Sequence, residues 1–272
     1  MLITRLATAA VGIPLVALVI WVGGGLLAGV VALAVAIAVI EIAVARGVAR
    51  TPSTALSAGL AAMLPAAALA GEDYLLGGIA GAIMLQSALM TLVWRPKDFE
   101  GERHVGANDV EAWLWGVAMG LYFGALAAHF VLLREAINGR DLVFFTVLTV
   151  WITDTGAYFV GRAIGRHKLS PAVSPGKTWE GSFGSVLAGF AAVFGLNEVF
   201  GLSLALEHRI ALGLLLPPVI MVGDLAESAL KRGLGIKDSS GFVPGHGGIA
   251  DRLDSLLFAA PLVYWYLRWI VA

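Results

Sequence analysis

Residues 26–44 read LLAGVVALAVAIAVIEIAV, 19 residues carrying a single ionisable side chain, Glu41. A helix rises about 1.5 Å per residue, so crossing a hydrocarbon core of roughly 30 Å takes about 20 mostly apolar residues. The stretch therefore reads as a transmembrane helix. Outward from it, eight further apolar runs of similar length bring the number to nine: roughly 6–22, 25–45, 53–71, 74–94, 112–133, 142–161, 181–203, 210–230 and 253–271. The fold class this predicts is an all-α integral membrane protein with about nine transmembrane helices.

Composition agrees. Of 272 residues, 59% are apolar and 14% charged, with a mean hydropathy of +0.86. A soluble domain carries about 25% charged residues, so this chain cannot cover a surface facing water. A net charge of −1 excludes the general basic footprint that nucleic acid requires. The absence of cysteine excludes disulfides, thiolate nucleophiles and Cys-ligated zinc. Arg5 precedes the first apolar run as the charged region of a signal peptide would. Ahead of so many later spans, that run reads as a retained anchor.

With nine spans the connections alternate between two sides. All but four of the 18 Lys and Arg residues fall on the side of the N-terminus; Arg134, Arg140, Arg209 and Arg268 are the exceptions. Positive charge stays in the cytosol, so the N-terminus is expected in the cytosol and the C-terminus outside. Trp21, Trp94, Trp113, Trp115, Trp265 and Trp269 sit near predicted span ends, as interfacial aromatic belts require. No internal repeat is visible. The chain reads as one polytopic membrane domain over 1–272, with supporting helices in 1–150 and a chemical half in 151–272, where polar residues concentrate.

Ionisable groups at membrane depth are functional candidates by default. Asp154 lies in WITDTGAYFVGR, residues 151–162, above the cytosolic end of span six. The loop SPGKTWEG, Ser174 to Gly181, contains the triplet Gly176-Lys177-Thr178. A P-loop also needs a glycine five residues before the GK glycine, and Pro171 stands there. What remains is a small-residue turn with a lysine and hydroxyls ahead of a helix start at Thr178 or Glu180. Such a helix N-terminus suits a phosphate.

The densest cluster runs from Gly223 to Ser255, GDLAESALKRGLGIKDSSGFVPGHGGIADRLDS. Asp224, Glu227, Ser228 and Lys231 recur at i, i+3, i+4 and i+7 on one helix face, and Asp251 and Asp254 share a face of the next span. Two acidic helix ends on one side, joined by about 20 residues, can converge, and oxygen-rich sites of this kind suit Mg²⁺ together with substrate phosphates. Lys231, Arg232, Lys237, His246 and Arg252 add positive charge, and the Gly-rich run around Gly247 and Gly248 allows backbone to approach a ligand closely. Pro217 and Pro218 are expected to kink span eight, which either opens a cleft beside Asp224 or merely bends the helix. Glu41 reads as structural, paired with Arg46. His129 and His208 are isolated and receive no role.

From Ser228 to Asp254 this cluster closely resembles the signature of the phosphatidate cytidylyltransferases, the CDP-diacylglycerol synthases. Ser228, Lys231, Arg232, Lys237, Asp238, Pro244, His246, Gly247, Gly248, Asp251, Arg252 and Asp254 fall in register. Val243 departs conservatively, standing where Leu, Ile or Phe is usual. DTGAYFVGR and SPGKTWEG also look like that family, so the match covers about 151–254. The N-terminal spans match only in being hydrophobic.

The resemblance implies that CTP and phosphatidic acid give CDP-diacylglycerol and pyrophosphate, that a divalent metal takes part, and that Asp224 and Asp251 correspond to cation-binding positions. It also implies a homodimer. On this reading Asp224, Asp251, Lys177, Lys231 and Arg252 carry the chemistry. Ser174, Lys177, Thr178, Ser228, Lys231, Arg232, Lys237, His246, Gly247 and Gly248 bind substrate. Glu227, Asp254 and Asp154 are further candidate ligands for Mg²⁺. Other CTP-dependent lipid enzymes are the nearest alternatives. A secondary transporter, the alternative from another class, would show paired repeats and a midplane site.

Overall fold

The structure, a computed structural model, describes residues 2–48, 52–93, 107–245 and 247–271. Arg50, Trp94, Arg95, Lys97, Arg103 and His246 lie outside the described residues. The chain runs through α1 (Leu2–Val22), α2 (Gly24–Arg46), α3 (Pro52–Ala68), α4 (Glu72–Val93) and α5 (Ala107–Gly120). A π-helical turn, Leu121–Ala125, joins α5 to α6 (Leu126–Glu135), and α7 (Gly139–Ile164) follows. After a short hairpin, β1 (Lys168–Ser170) and β2 (Ser174–Thr178), come α8 (Trp179–Phe200), α9 (Leu206–Gly233) and α10 (Ala250–Tyr266). With α5 and α6 taken as one rod, nine helical rods stand among the described residues, at the positions of the nine apolar runs. Five are long and apolar enough to cross a membrane: α2, the Trp113–Glu135 rod, α7, α8 and α9. Within α1 and α3 the stretches Ala7–Val22 and Ser53–Ala68 are apolar but shorter.

Among the described residues the fold is all-helical as expected, apart from this one short hairpin. The residues read as a turn before the seventh span form a strand, with Lys168 opposite Thr178 and Ser170 opposite Ser174. Pro171 between the strands suits the reversal, because its ring fixes φ and it has no N–H to place in a ladder. Thr178 then closes β2 and caps α8, its hydroxyl accepting from Gly181 N at 3.1 Å. Glu180 reaches back to accept from the backbone N–H groups of Arg166 and His167.

Two apolar clusters fill the bundle. One gathers α7, α8, α9 and α10 around Phe145, Leu212, Leu216 and Val263. The other gathers α2, α3 and the α5–α6 rod around Val35, Ile42 and Phe123. α10 belongs to both, through Ala259, Ala260 and Val263 in the first and Ala250 and Leu257 in the second. It is the central post between the supporting helices and the polar half. α7 and α8 pack closely because small residues face each other. A methyl added at Gly184 would lie 2.5 Å from Val160 Cβ, and one at Gly156 would overlap Ala188. Small residues at such positions let membrane helices approach backbone to backbone.

The four arginines that charge counting sets apart from the rest are all engaged. Arg134 donates to the last carbonyls of α1, with Nε 2.9 Å from Ile20 O. Arg140 pairs with Asp141 and lies over the Trp21 ring. Arg209 pairs with Glu198 and Arg268 with Glu72. Two expectations fail nearby. His129 is not isolated: its Nε2 accepts from Trp265 Nε1 at 2.9 Å, and its Nδ1 faces Ala125 O. His208 meets the Tyr266 hydroxyl at 3.1 Å. Trp21 and Trp269 are exposed, as a belt requires, whereas Trp115 packs against the α2–α3 cluster beneath Arg46.

Replacing Gly184 with Leu should force α7 and α8 apart at a cost of about 1–3 kcal/mol. Thermal unfolding of the purified chain in detergent should show a midpoint lowered by several degrees, with Gly195→Leu, which meets open space on the same helix, close to wild type.

Candidate active site

The polar residues of the C-terminal half assemble at the end of the bundle that carries the β1–β2 hairpin, and they do so in two adjoining parts. The first is a cavity of about 520 Å³ between α7, α8 and α9, closed by β2. α7 contributes Asp154, Tyr158 and Arg162, which follow one another at i, i+4 and i+8 and so line one face. β2 contributes Gly176 and Lys177, α8 contributes Ser182 and Ser185, and α9 contributes Pro217 and Asp224. α9 stays helical through Pro217 and Pro218, and a cleft beside Asp224 is present. Lys177 Nζ sits 2.8 Å from Asp224 Oδ2 and also faces Met221 O. Ser228 donates to Asp224 Oδ1 at 3.3 Å. Among the described residues Arg162 has no carboxylate partner; its Nη1 donates to the Tyr158 hydroxyl at 2.7 Å.

The second part lies behind α9, where α10 begins. Lys231 stands between two carboxylates, 2.6 Å from Asp251 Oδ1 and 3.0 Å from Glu227 Oε2. All three are buried, Glu227 being 1% exposed. Asp251 Oδ2 accepts from Ser239 N and Oγ, each at 2.9 Å, and from Gly248 N at 2.8 Å. Neither carboxylate oxygen of Glu227 receives a well-formed hydrogen bond, so its partner is the lysine charge alone. Gly247 and Gly248 are glycines for a reason the structure makes plain. Gly247 has φ +81°, and a side chain there would meet Asp251 Oδ2 at 2.5 Å; at Gly248 it would overlap Ser239 Oγ. The close backbone approach expected for a ligand is made, in this structure, toward the chain's own carboxylates.

The two parts adjoin along α9, which carries both Asp224 and the Glu227–Lys231 pair. Among the described residues, no three acidic or His side chains are arranged to enclose a cation. Asp224 is held by Lys177 and Asp251 by Lys231, on different sides of α9.

Several expected ligands are placed elsewhere. Ser174 pairs with Ser170 at the far end of the hairpin. Thr178 is spent on its cap, though it also borders the cavity. Arg232 donates to Val173 O and Ile236 O, tying α9 to the hairpin turn. Lys237 and Arg252 are exposed, and His246 lies outside the described residues. Two residues were missed. Arg162 entered only as a topological charge, although its spacing from Asp154 was visible. Glu41 was expected to pair with Arg46, which instead binds Glu111. Residues five apart on a helix lie about 140° apart around its axis, so Arg46 cannot follow Glu41 inward.

A bundle of apolar helices, five of them long enough to cross a bilayer, defines a membrane protein whose cations and carboxylates gather at one end. The chain belongs to the cytidylyltransferase family, whose sequence profile matches residues 3–270. Over shorter stretches it resembles proteins named phosphatidate cytidylyltransferase. The one from Bacillus subtilis is 38% identical over 148 residues, 54% of this chain and 55% of that protein. The one from Staphylococcus epidermidis is 42% identical over 126 residues, 46% and 48% of the two chains. The one from Haemophilus influenzae is 38% identical over 142 residues, 51% and 49%. The chain thus spans about half the length of the curated relatives it matches.

Lys231→Met should leave Asp251 and Glu227 buried without their cation. Breaking a buried pair from one side costs about 3–5 kcal/mol, so thermal unfolding should drop sharply. Adding Glu227→Gln to Lys231→Met should recover part of the loss, because one of the two stranded charges is then gone.

Proposed function

We propose that the chain transfers a CMP unit from CTP to the phosphate of phosphatidic acid, giving CDP-diacylglycerol and pyrophosphate. The observation that carries this reading is the cavity lined by both Lys177 and Arg162, one cation held by Asp224 and one whose partner is the Tyr158 hydroxyl. A phosphate group is the ligand such a pair of cations suits. Family membership and the names of the relatives point the same way.

The chemistry asks little of the side chains beyond placement. An oxygen of the lipid phosphate is already a nucleophile. It attacks the α-phosphorus of CTP, the bond from that phosphorus to the bridging oxygen breaks, and pyrophosphate leaves with the electron pair. No serine or cysteine nucleophile is needed, and no proton has to be removed. Catalysis then reduces to orienting two anions and offsetting their repulsion. Lys177 and Arg162 would hold phosphate in the cavity, and Lys231 and Arg252 would offset charge on the α10 side, with Asp224 and Asp251 setting the lysines in place.

The carboxylates of Asp224, Asp254, Asp154 and Glu227 are hard oxygen ligands of the kind Mg²⁺ takes together with substrate phosphates. Because no three of them enclose a cation among the described residues, phosphate oxygens would have to complete the set. When bound, the cation would neutralise the triphosphate and favour departure of pyrophosphate. Nine spans with the hairpin end in the cytosol, where CTP is found, a bacterial plasma membrane and a homodimer complete the reading. The bilayer itself supplies the lipid substrate.

The purified chain, given phosphatidic acid, labelled CTP and Mg²⁺, should move label into the organic phase. Lys177→Ala should lower that rate by about 10²-fold or more, as loss of a group that stabilises transferring charge does, with removal of Mg²⁺ by chelation abolishing it. A folded preparation that moves no label contradicts the proposal.

A further inference from the structure

The buried carboxylate of Glu41 belongs to α2, in the half of the chain with no chemistry assigned to it. It is 6% exposed, and none of the ion pairs among the described residues supplies it with a cation. Its compensation comes from four donors, all roughly 200 residues away in sequence. Oε1 accepts from Ser240 Oγ at 2.6 Å and Ile249 N at 3.0 Å. Oε2 accepts from Ala250 N at 2.9 Å and faces Ser239 Oγ at 3.2 Å. Two of these are backbone amides at the start of α10, where the unpaired N–H groups and the helix dipole favour a negative charge. Glu41 thus caps α10 from another helix.

The arrangement continues directly into the candidate site. Ser239 Oγ lies between Glu41 and Asp251, 2.9 Å from Asp251 Oδ2. A hydroxyl has one hydrogen, so Ser239 serves one carboxylate at a time and couples the two. A side chain at Gly248 would meet Glu41 Oε2 at 2.5 Å, so the glycine and the glutamate occupy one space between them. Ser239, Ser240, Ile249 and Ala250 are held by Glu41, Ser239 and Gly248 by Asp251, and Asp251 in turn fixes Lys231.

We propose that Glu41 is a positioning residue for the transfer reaction. Held against the N-terminus of α10, its carboxylate sets the 239–250 segment, and through it Asp251 and Lys231, in the geometry the phosphates require. This inference rests on the functional reading above, and its test separates the two.

Glu41→Gln keeps the shape but replaces one acceptor oxygen by an NH₂ that faces donors. Measured on the full chain in detergent, the variant should unfold close to the wild-type temperature. Hydrogen exchange, followed by mass spectrometry over peptides covering 239–252, should be faster than in wild type. The kcat for CMP transfer should fall about 10–100-fold while KM for CTP stays within about threefold, the pattern of misplaced rather than missing groups. Ser240→Ala, which deletes one of the four donors, should shift both readouts in the same direction by less, and it carries the test if Glu41→Gln does not fold. Unchanged exchange would show that Glu41 does not hold the segment. Faster exchange with unchanged kcat would make it a strut and overturn the positioning role. A wild-type chain that transfers no CMP would instead sink the functional reading, and the positioning role with it, whatever the exchange shows.

Discussion

A carboxylate removed from water must be met by donors, and the polar end of this bundle is organised around meeting several at once. Asp251 has Lys231, two amides and a hydroxyl. Glu227 has the same lysine, and Glu41 has the start of α10. Taking such charges out of water costs several kcal/mol each unless geometry compensates, and an apolar bundle offers few other ways to do so. The need for donors explains why the 239–250 segment runs as it does, why residues 247 and 248 are glycines, and why α10 begins where it does. α10 then carries that order into the fold, since its apolar faces complete both hydrophobic clusters.

Much of the architecture was legible because lipid demands it. Length and apolarity place the helical rods, since backbone groups in hydrocarbon must be satisfied within a segment. The acidic helix faces were legible from helical spacing, whereas the separate lysines that hold Asp224 and Asp251 were not. The β1–β2 hairpin was not: Ser174–Thr178 is rich in Pro, Gly and hydroxyl residues that read as a turn, and its strand character comes from pairing with Lys168–Ser170. Glu41 was misread because its partners are far away in sequence. A local argument offered it Arg46, and the tertiary fold gave it the start of α10. Arg162 was seen but counted as topology, although Asp154, Tyr158 and Arg162 repeat every four residues toward one cavity.

The division of the polar end into two parts bears on how a reaction between two anions would be arranged. Lys177, Asp224 and Arg162 sit in an open cavity beside exposed apolar residues such as Tyr158. Lys231, Asp251 and Glu227 are enclosed behind α9. The first part is suited to receive phosphate from outside the protein, and the second to stay rigid. α9 links them, since it carries Asp224 at the cavity and Glu227 and Lys231 behind it.

The central claim is that this cavity receives the phosphates of CTP from the cytosolic face. The chain contains no cysteine, and a side chain at Gly176, on the cavity wall, meets open space. Gly176→Cys in membrane vesicles of defined orientation can therefore be labelled with an impermeant thiol reagent. The account predicts labelling from the cytosolic face only, slowed several-fold by CTP with Mg²⁺. Labelling from the opposite face, or labelling indifferent to CTP, would contradict it.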